Sequence, residues 1–151
     1  MSRFVIVCGG TGGHLAPGIS IAETLVEKGE TPLLLISRKE VDSRLVRKYG
    51  HLDFHKVPGS GFGLSPVRFL RFAAGLASGF WDSFHLLRRE KPDVVLAFGG
   101  FLSVGVVFQA FLFRVTVVLH EANRRPGRAI RLLRRAATRI YLPEGVGLRG
   151  V

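Results

Sequence analysis

The residues best suited to chemistry lie near the N-terminus, where glycines, a threonine and a histidine follow a short apolar run. Residues 9–14 read Gly-Gly-Thr-Gly-Gly-His, and a helical pattern begins at Leu15. Glycines leave backbone N–H groups open to a ligand, and the start of a helix adds unpaired donors and a positive dipole end. The stretch therefore predicts an anion site, most simply for phosphate, with His14 beside it.

Two common nucleotide-binding patterns do not fit this stretch. A dinucleotide fingerprint needs a glycine where Leu15 stands, and no Gly-Lys-Ser/Thr of a P-loop follows. The second apolar run ends in Ser37-Arg38-Lys39, without the acid that would bind the ribose of a dinucleotide. A tight turn without a ligand is the plain alternative, but such a turn has no need of His14.

Two further clusters follow later apolar runs. Gly99-Gly100 follows residues 94–98, and His120-Glu121-Ala122-Asn123 follows residues 115–119. Glu121 and Asn123 have a structural alternative, because either can cap the helix that comes next. The other histidines (His51, His55 and His85) have no ligand-like spacing, so no metal site is predicted.

Apolar strands that alternate with helical segments indicate how these clusters come together. Strands are predicted at 4–7, 32–36, 54–57, 94–98, 115–119 and 138–142, and helices at 15–28, 42–49, 66–89, 104–113 and 128–137. This pattern is typical of a Rossmann-like α/β fold, a parallel sheet with helices on both faces. With the strand order 3-2-1-4-5-6, strands one and four are neighbours, and both glycine loops face one crevice.

Composition sets the class of the molecule. A length of 151 residues suits one domain with a real core, and a single cysteine, Cys8, implies a buried thiol in a reducing cytosol rather than a disulfide framework. The formal charge of +11 favours phosphate-bearing ligands, nucleic acid or an anionic membrane. Residues 94–113 lack charge but are split by Gly99-Gly100, so we interpret them as a buried strand and a buried helix, not a membrane span.

The long predicted helix has more apolar surface than one core contact requires. A core-facing stripe is predicted at Phe69, Phe72, Ala73, Leu76, Phe80, Phe84 and Leu87. Beside it lie Leu70, Ala74, Ala77 and Trp81, the pattern of a helix in a membrane interface. Basic residues that would attract anionic lipid are Arg68, Arg71, Arg88 and Arg89, with a second face at Arg128, Arg131 and Arg135 whose alternative is plain solvation.

Three motifs in collinear order together resemble one family. They are residues 9–17, the segments Lys91-Pro92-Asp93-Val94-Val95 and Phe98-Gly99-Gly100-Phe101, and His120-Glu121-Ala122-Asn123 with Pro126-Gly127. The combination resembles MurG, a family of bacterial N-acetylglucosaminyltransferases of peptidoglycan synthesis with a two-domain GT-B fold. The resemblance implies that residues 1–151 are the N-terminal, acceptor-binding half, without the C-terminal donor-binding domain.

The resemblance also implies an activity. It is the inverting transfer of GlcNAc from UDP-GlcNAc to the C4 hydroxyl of the muramyl sugar of lipid I, an undecaprenyl-diphosphate-linked acceptor, to form lipid II. Neither a metal nor another cofactor is implied, and the isolated domain is expected to be inactive. The implied location is peripheral, on the cytoplasmic face of the bacterial inner membrane, in contact with its anionic surface; nucleic acid is not an expected partner.

Site residues follow from the same resemblance. The glycine loops would bind the acceptor diphosphate, with Gly9, Gly10, Gly12, Gly13, Gly99, Gly100 and Phe101. Donor contacts are implied for Thr11, Gly12, Gly13 and Asn123. The attacking hydroxyl must lose a proton, and we expect His14 first, and Glu121 second, to be the general base. Two departures from the family pattern are Phe101, where an aromatic hydroxyl is common, and Ala122, where glutamine is usual.

A second hypothesis belongs to another class. The chain would be a non-catalytic, acceptor-binding subunit that recruits a separate donor half to the membrane, as in split GT-B enzymes. A second Rossmann-like domain encoded in the same gene favours the single-chain enzyme, and a stop codon after Val151 favours the split system.

Overall fold

The computed structural model describes residues 1–8, 12–38, 44, 46–58 and 65–148, and all structural statements below refer to these. Part of the predicted helix at 42–49, namely residues 42, 43 and 45, lies outside this range, as do Gly9, Gly10 and Thr11, while residues 44 and 46 are helical. The side chains of Phe101 and of Arg68, Phe69, Phe72 and Leu76 are likewise outside the description.

Strands and helices alternate as the sequence predicts. The strands are β1 (Arg3–Val7), β2 (Thr31–Ser37), β3 (Asp53–Val57), β4 (Val94–Ala97), β5 (Thr116–His120) and β6 (Arg139–Tyr141). The helices are α1 (Gly12–Glu27), α2 (Pro66–Glu90), α3 (Gly100–Leu112) and α4 (Arg128–Leu133), which continues as a 3₁₀ turn, Arg134–Ala136. The predicted Rossmann-like fold is therefore confirmed.

One parallel sheet holds all six of these strands in the order β3-β2-β1-β4-β5-β6. Central strand β1 pairs with β2 on one side and β4 on the other, so that Val5 lies beside both Leu33 and Val95. The order confirms the predicted placement of strands one and four as neighbours. Their carboxyl ends meet at the switch point of the sheet, where ligands bind in folds of this class.

Each face of the sheet has its own core. Because side chains alternate along a strand, Val5 and Val7 face one side and Ile6 and Cys8 the other. Helix α1 covers the Ile6 side with Leu15, Ile19 and Ala22, and the other three helices cover the Val5 side with Leu86, Leu87, Val106, Val107, Ala110, Ile130 and Leu133. The helices on both faces were predicted and are confirmed.

The core contact of α2 differs from the predicted stripe. Ala73 is exposed and Phe80 is 39% exposed, while the buried residues of this helix include Gly79, Ser83, Leu86 and Leu87. The reason is a close approach: a Cβ on Gly79 would lie 2.5 Å from the carbonyl oxygen of Pro58. The helix contacts the end of β3 through its small residues, so the prediction was wrong for Ala73 and Phe80 and right for Leu87.

Helix α3 also departs from its prediction. It begins at Gly100, four positions before the predicted start, because Gly99 and Gly100, at φ +90° and +79°, turn the chain from β4 into the helix almost at once. It is not buried all round, since Phe108, Phe111 and Leu112 are each half-exposed or more. The uncharged segment 94–113 thus contains a strand and a one-sided helix, and none of the helices in the described ranges has the length and hydropathy that a membrane span needs.

Close packing of α1 on β1 generates a test. In Gly18→Ala, the new Cβ would lie 2.6 Å from Cβ and 2.8 Å from Sγ of buried Cys8. Overpacking costs about 1–3 kcal/mol, against about 1 kcal/mol gained in helix propensity, so we expect lower stability in urea unfolding. Gly105→Ala is the matched control in α3, because its Cβ would make only an ordinary 3.6 Å contact with Phe80. A Gly18→Ala variant as stable as the control would contradict the packing.

Candidate functional site

The candidate site lies where the carboxyl ends of β1, β4 and β5 meet. His14, in the first turn of α1, places its ring 3.8 Å from the position that a Cβ on Gly100 would take. This contact joins the N-terminal glycine segment to the second glycine loop, 86 positions later in the chain. The predicted convergence of the two loops on one crevice is thus confirmed for Gly13, His14, Gly99 and Gly100, while Gly9, Gly10 and Thr11 lie outside the described residues.

The second glycine loop requires glycine at both positions. A Cβ on Gly99 would lie 3.3 Å from Ile130, and one on Gly100 would meet the His14 ring, and both residues adopt positive φ. Ser103 fixes the turn, because its buried hydroxyl donates to the Gly99 carbonyl at 2.6 Å. The start of α3 therefore approaches α4 on one side and the histidine on the other.

Glu121 is a buried carboxylate, 3% exposed, directly after β5. Its Oε1 accepts hydrogen bonds from the Asn123 backbone N–H at 2.9 Å and side-chain amide at 2.7 Å, and its Oε2 accepts the Gly127 N–H at 2.7 Å. Gly127 is the N-cap residue of α4, so Glu121 holds the loop 122–126 at both ends. The helix-entry role that the sequence left open is therefore part of what Glu121 does.

The ionisation of Glu121 follows from these contacts. Burial raises the pKa of the carboxyl, but hydrogen bonds from Gly127 and Asn123, together with the positive charge that His14 can carry, lower it further than burial raises it. The net pKa lies below the ordinary value of 4.5. Glu121 is consequently ionised near neutral pH, with both oxygens engaged in the loop.

His14 is half-buried, and its Nδ1 atom is buried without a hydrogen-bond partner among the described residues. Burial lowers the pKa of His14 below its ordinary value of 6.5, partly opposed by the negative charge of Glu121. A neutral imidazole with an unused nitrogen can accept a proton or bind a polar group of a ligand. The mutual effect on pKa places the Glu121 carboxylate within electrostatic reach of His14.

Sequence reasoning gave no role of its own to His120. This residue ends β5, its ring packs on buried Phe98 with centroids 5.0 Å apart, and its Nδ1 is also buried without a partner among the residues described. The sequence feature that could have pointed to His120 is its position one residue before Glu121. In the described part of the chain, no group of three or more His, Cys, Asp or Glu side chains could hold a metal ion.

The outer surface of α2 and α3 forms a second feature, which we call the aromatic face. It comprises Leu70, Trp81, Phe108, Phe111 and Leu112, and its Leu70 and Trp81 are 67% and 63% exposed. Trp81 stacks on Phe84 at 5.8 Å, Phe84 contacts Phe113 at 5.4 Å, and the Arg88 guanidinium lies 5.7 Å over the Phe84 ring. Leu70, Trp81, Arg71 and Arg88, which the sequence analysis predicts to contact a membrane, are exposed, and Phe108, Phe111 and Leu112 add further exposed apolar surface.

A family model for the N-terminal domain of glycosyltransferase family 28 matches residues 4–142. The chain belongs to this family. Over 98% of its length, the chain is 57% identical to a UDP-N-acetylglucosamine--N-acetylmuramyl-(pentapeptide) pyrophosphoryl-undecaprenol N-acetylglucosamine transferase from Opitutus terrae. It is 38% identical, over 93% of its length, to the enzyme of the same name from Halothermothrix orenii. The match covers 39% and 38% of these relatives, so the chain spans well under half their length.

Solved structures agree with this family 28 assignment at the level of the fold. MurG from Acinetobacter baumannii superposes with a TM-score of 0.81 over 96% of this chain and 44% of its own, at 22% identity. A UDP-GlcNAc 2-epimerase from Methanocaldococcus jannaschii gives 0.69 over 95% of this chain and 40% of its own, at 17% identity. The resemblance drawn from the three motifs and the predicted GT-B half are confirmed.

Glu121→Gln tests the role of the carboxylate in the loop. The amide keeps the size but cannot accept from three N–H groups at two oxygens, so we expect a loss of roughly 1.5–3 kcal/mol in the free energy of unfolding at pH 7. The loss should shrink as the pH falls below 4.5. A carboxyl whose folded pKa is lowered contributes stability above its unfolded pKa and loses it as the pH falls through the folded value.

The measurement is urea unfolding of both proteins between pH 7 and pH 3. Glu144→Gln is the control, because Glu144 is an exposed carboxylate beyond β6. An equal effect of the two substitutions, or a Glu121→Gln deficit that stays constant down to pH 3, would contradict the structural role of the Glu121 charge.

Proposed function

We propose that this chain is the N-terminal, acceptor-binding domain of an enzyme that transfers GlcNAc from UDP-GlcNAc to lipid I, with inversion. The observation that carries the proposal is the convergence of His14, the Gly99-Gly100 turn and the Glu121 loop at one crevice. The activity named for the 57% identical relative supports the choice of donor and acceptor. Such relatives contain the matched segment within one longer chain, which supports the two-domain enzyme over the split system.

The acceptor diphosphate would lie against the glycine loops. Backbone N–H groups at the start of α1 and of α3 point toward the crevice, and both helix dipoles favour negative charge there. The residues that we propose for this contact are Gly9, Gly10, Gly12, Gly13, Gly99, Gly100 and Phe101. Thr11, Gly12, Gly13 and Asn123 would face the donor across the cleft.

Proton transfer is assigned to His14. The C4 hydroxyl of the muramyl sugar attacks the anomeric carbon, the bond from this carbon to the UDP oxygen breaks, and the hydroxyl proton must leave during the attack. The lowered pKa keeps His14 neutral near pH 7, so it can accept this proton. Glu121, whose oxygens are engaged by Asn123 and Gly127, then stabilises the imidazolium by its charge and positions Asn123. Glu121 is thus a weaker candidate for the base than for a positioning residue.

Membrane contact is assigned to the aromatic face. A polyprenyl acceptor stays in the bilayer, so the domain must come to the membrane surface. A large exposed apolar patch marks an interaction site, and Trp81 and Arg88, which both contact Phe84, provide an amphipathic edge. Each basic residue near an anionic surface adds about 1 kcal/mol. We therefore propose peripheral binding to the cytoplasmic, anionic face of the inner membrane.

His14→Ala tests the catalytic assignment in the complete two-domain enzyme. Loss of a general base typically costs 10²–10⁴-fold in rate, and we expect kcat for GlcNAc transfer to fall by about that much. Steady-state kinetics with a lipid I analogue measure it. His51→Ala is the control, because His51 is an exposed surface histidine, and the 151-residue chain alone supplies the background. A near-normal kcat would remove the base role, and a change confined to acceptor KM would make His14 a binding residue.

A Leu70→Ser, Trp81→Ser variant tests the aromatic face. Burying each side chain in lipid is worth about 1.5–3 kcal/mol, so its binding to anionic vesicles should weaken at least about tenfold. Co-sedimentation with vesicles of phosphatidylglycerol, or of phosphatidylcholine alone, measures this at two salt concentrations. Val26→Ser is the control, since Val26 is an exposed apolar residue of α1, on the opposite face of the sheet. Equal binding by all three proteins would exclude the aromatic face.

A further inference from the structure

The proposed diphosphate site has a shortage of positive charge. No Lys or Arg occurs at residues 8–14 or 98–103, which form the two glycine loops. The lowered pKa of His14 leaves that ring neutral near pH 7. The buried Glu121 carboxylate adds a negative charge beneath the crevice, which repels an anionic ligand. Backbone N–H groups alone would have to balance both the diphosphate and Glu121.

The loop after β5 contains the missing charges. Arg124 and Arg125 follow Asn123 directly, both are exposed, and neither has an ion-pair partner within the described part of the chain. Residues 122–143 contain seven arginines and no Asp or Glu. Arg38 also lies at this edge of the sheet, after β2, but β1 separates β2 from β4 and β5, whereas Arg124 and Arg125 follow β5 directly.

This loop is rigidly held. Glu121 accepts hydrogen bonds from Asn123 on one side of the two arginines and from Gly127 on the other, at 2.7–2.9 Å. Pro126 fixes a further backbone angle. The two arginines therefore lie in the middle of a short loop whose base, Glu121, interacts electrostatically with His14. A rigid base lowers the entropy lost when the guanidinium groups engage a ligand.

We infer that Arg124 and Arg125 bind the diphosphate at the crevice and supply the positive charge that the two glycine loops lack. The inference rests on the proposed function, which places a diphosphate there. A diphosphate could belong to the acceptor or to the donor. The acceptor is favoured because both glycine loops and this arginine-bearing loop belong to the same domain. A planar guanidinium donates two parallel hydrogen bonds to phosphate oxygens, which suits this role better than lysine.

Binding of soluble probes to the 151-residue chain tests the inference. The probes are farnesyl diphosphate, UDP and inorganic pyrophosphate, and their binding is measured by isothermal titration at two salt concentrations. We expect an Arg124→Ala, Arg125→Ala variant to bind farnesyl diphosphate at least about tenfold more weakly, with a shallower salt dependence. An Arg124→Lys, Arg125→Lys variant should recover only part of the affinity, because lysine lacks the two-pronged geometry.

The matched control is an Arg131→Ala, Arg135→Ala variant, which removes the same charge from exposed positions on α4 and the following 3₁₀ turn. It should bind within about twofold of the native chain. In the complete enzyme, the Arg124→Ala, Arg125→Ala variant should raise the acceptor KM and leave kcat nearly unchanged.

Different results would contradict the inference, its assignment to the acceptor, or the proposed function. Equal weakening in the control variant, or no weakening in either, would overturn the inference and leave the proposed function intact. Lost affinity for UDP with unchanged affinity for farnesyl diphosphate would overturn the assignment to the acceptor. Native protein that binds neither of the prenyl and inorganic diphosphates would contradict the diphosphate site of the proposed function itself, and the inference with it.

Discussion

The arrangement of the crevice depends on one buried negative charge. Glu121 lies directly after β5 and is buried. Its two carboxylate oxygens accept three hydrogen bonds from N–H groups of Asn123 and Gly127. A buried ion is tolerated only when its hydrogen-bonding capacity is met, and here the loop 122–127 meets it. The same contacts determine where α4 begins and orient Asn123. The negative charge of the carboxylate also raises the pKa of His14, against the effect of burial. A charge with a structural role therefore influences the ring that we assign to proton transfer.

Glycines let the other two elements approach this charge. Gly100, at φ +79°, turns the chain beside the His14 ring, and Gly18 lets α1 lie against Cys8 at the end of β1. A Cβ at Gly18 would overlap Cys8, and the positive φ of Gly100 disfavours any side chain there. The close approach thus serves two purposes: it packs α1 on the sheet and it brings unpaired N–H groups to the ligand position. Stability and anion binding therefore rest on the same small residues.

Strand order, parallel pairing and the convergence of the glycine loops could be predicted because they follow from hydrophobic alternation and connection rules, which are local or nearly so. Which residues of α2 are buried could not be predicted from the sequence. Phe80 and Gly79 are adjacent, and only the close approach of the helix to the Pro58 carbonyl decides which of them faces the sheet. Likewise, the half-exposed aromatic residues of α3 look like core residues in the sequence. Glu121 showed the same ambiguity between capping and chemistry, because its hydrogen bonds depend on the tertiary path of the loop.

Helix α3 links the crevice to the aromatic face. Helix α3 begins at Gly100, at the crevice, and its exposed Phe111 and Leu112 lie at the far end, about 18 Å away along the axis at 1.5 Å per residue. Helix α2 meets the end of β3 only at Gly79, beside Pro58, so its first turns, which include Leu70, extend beyond the carboxyl edge. A diphosphate at the crevice would therefore have a path for its prenyl chain along α2 and α3 toward the bilayer. Under the proposed function, the polar head of the acceptor leaves the membrane only as far as the start of α3, where the glycine loops and Arg124 and Arg125 can meet it.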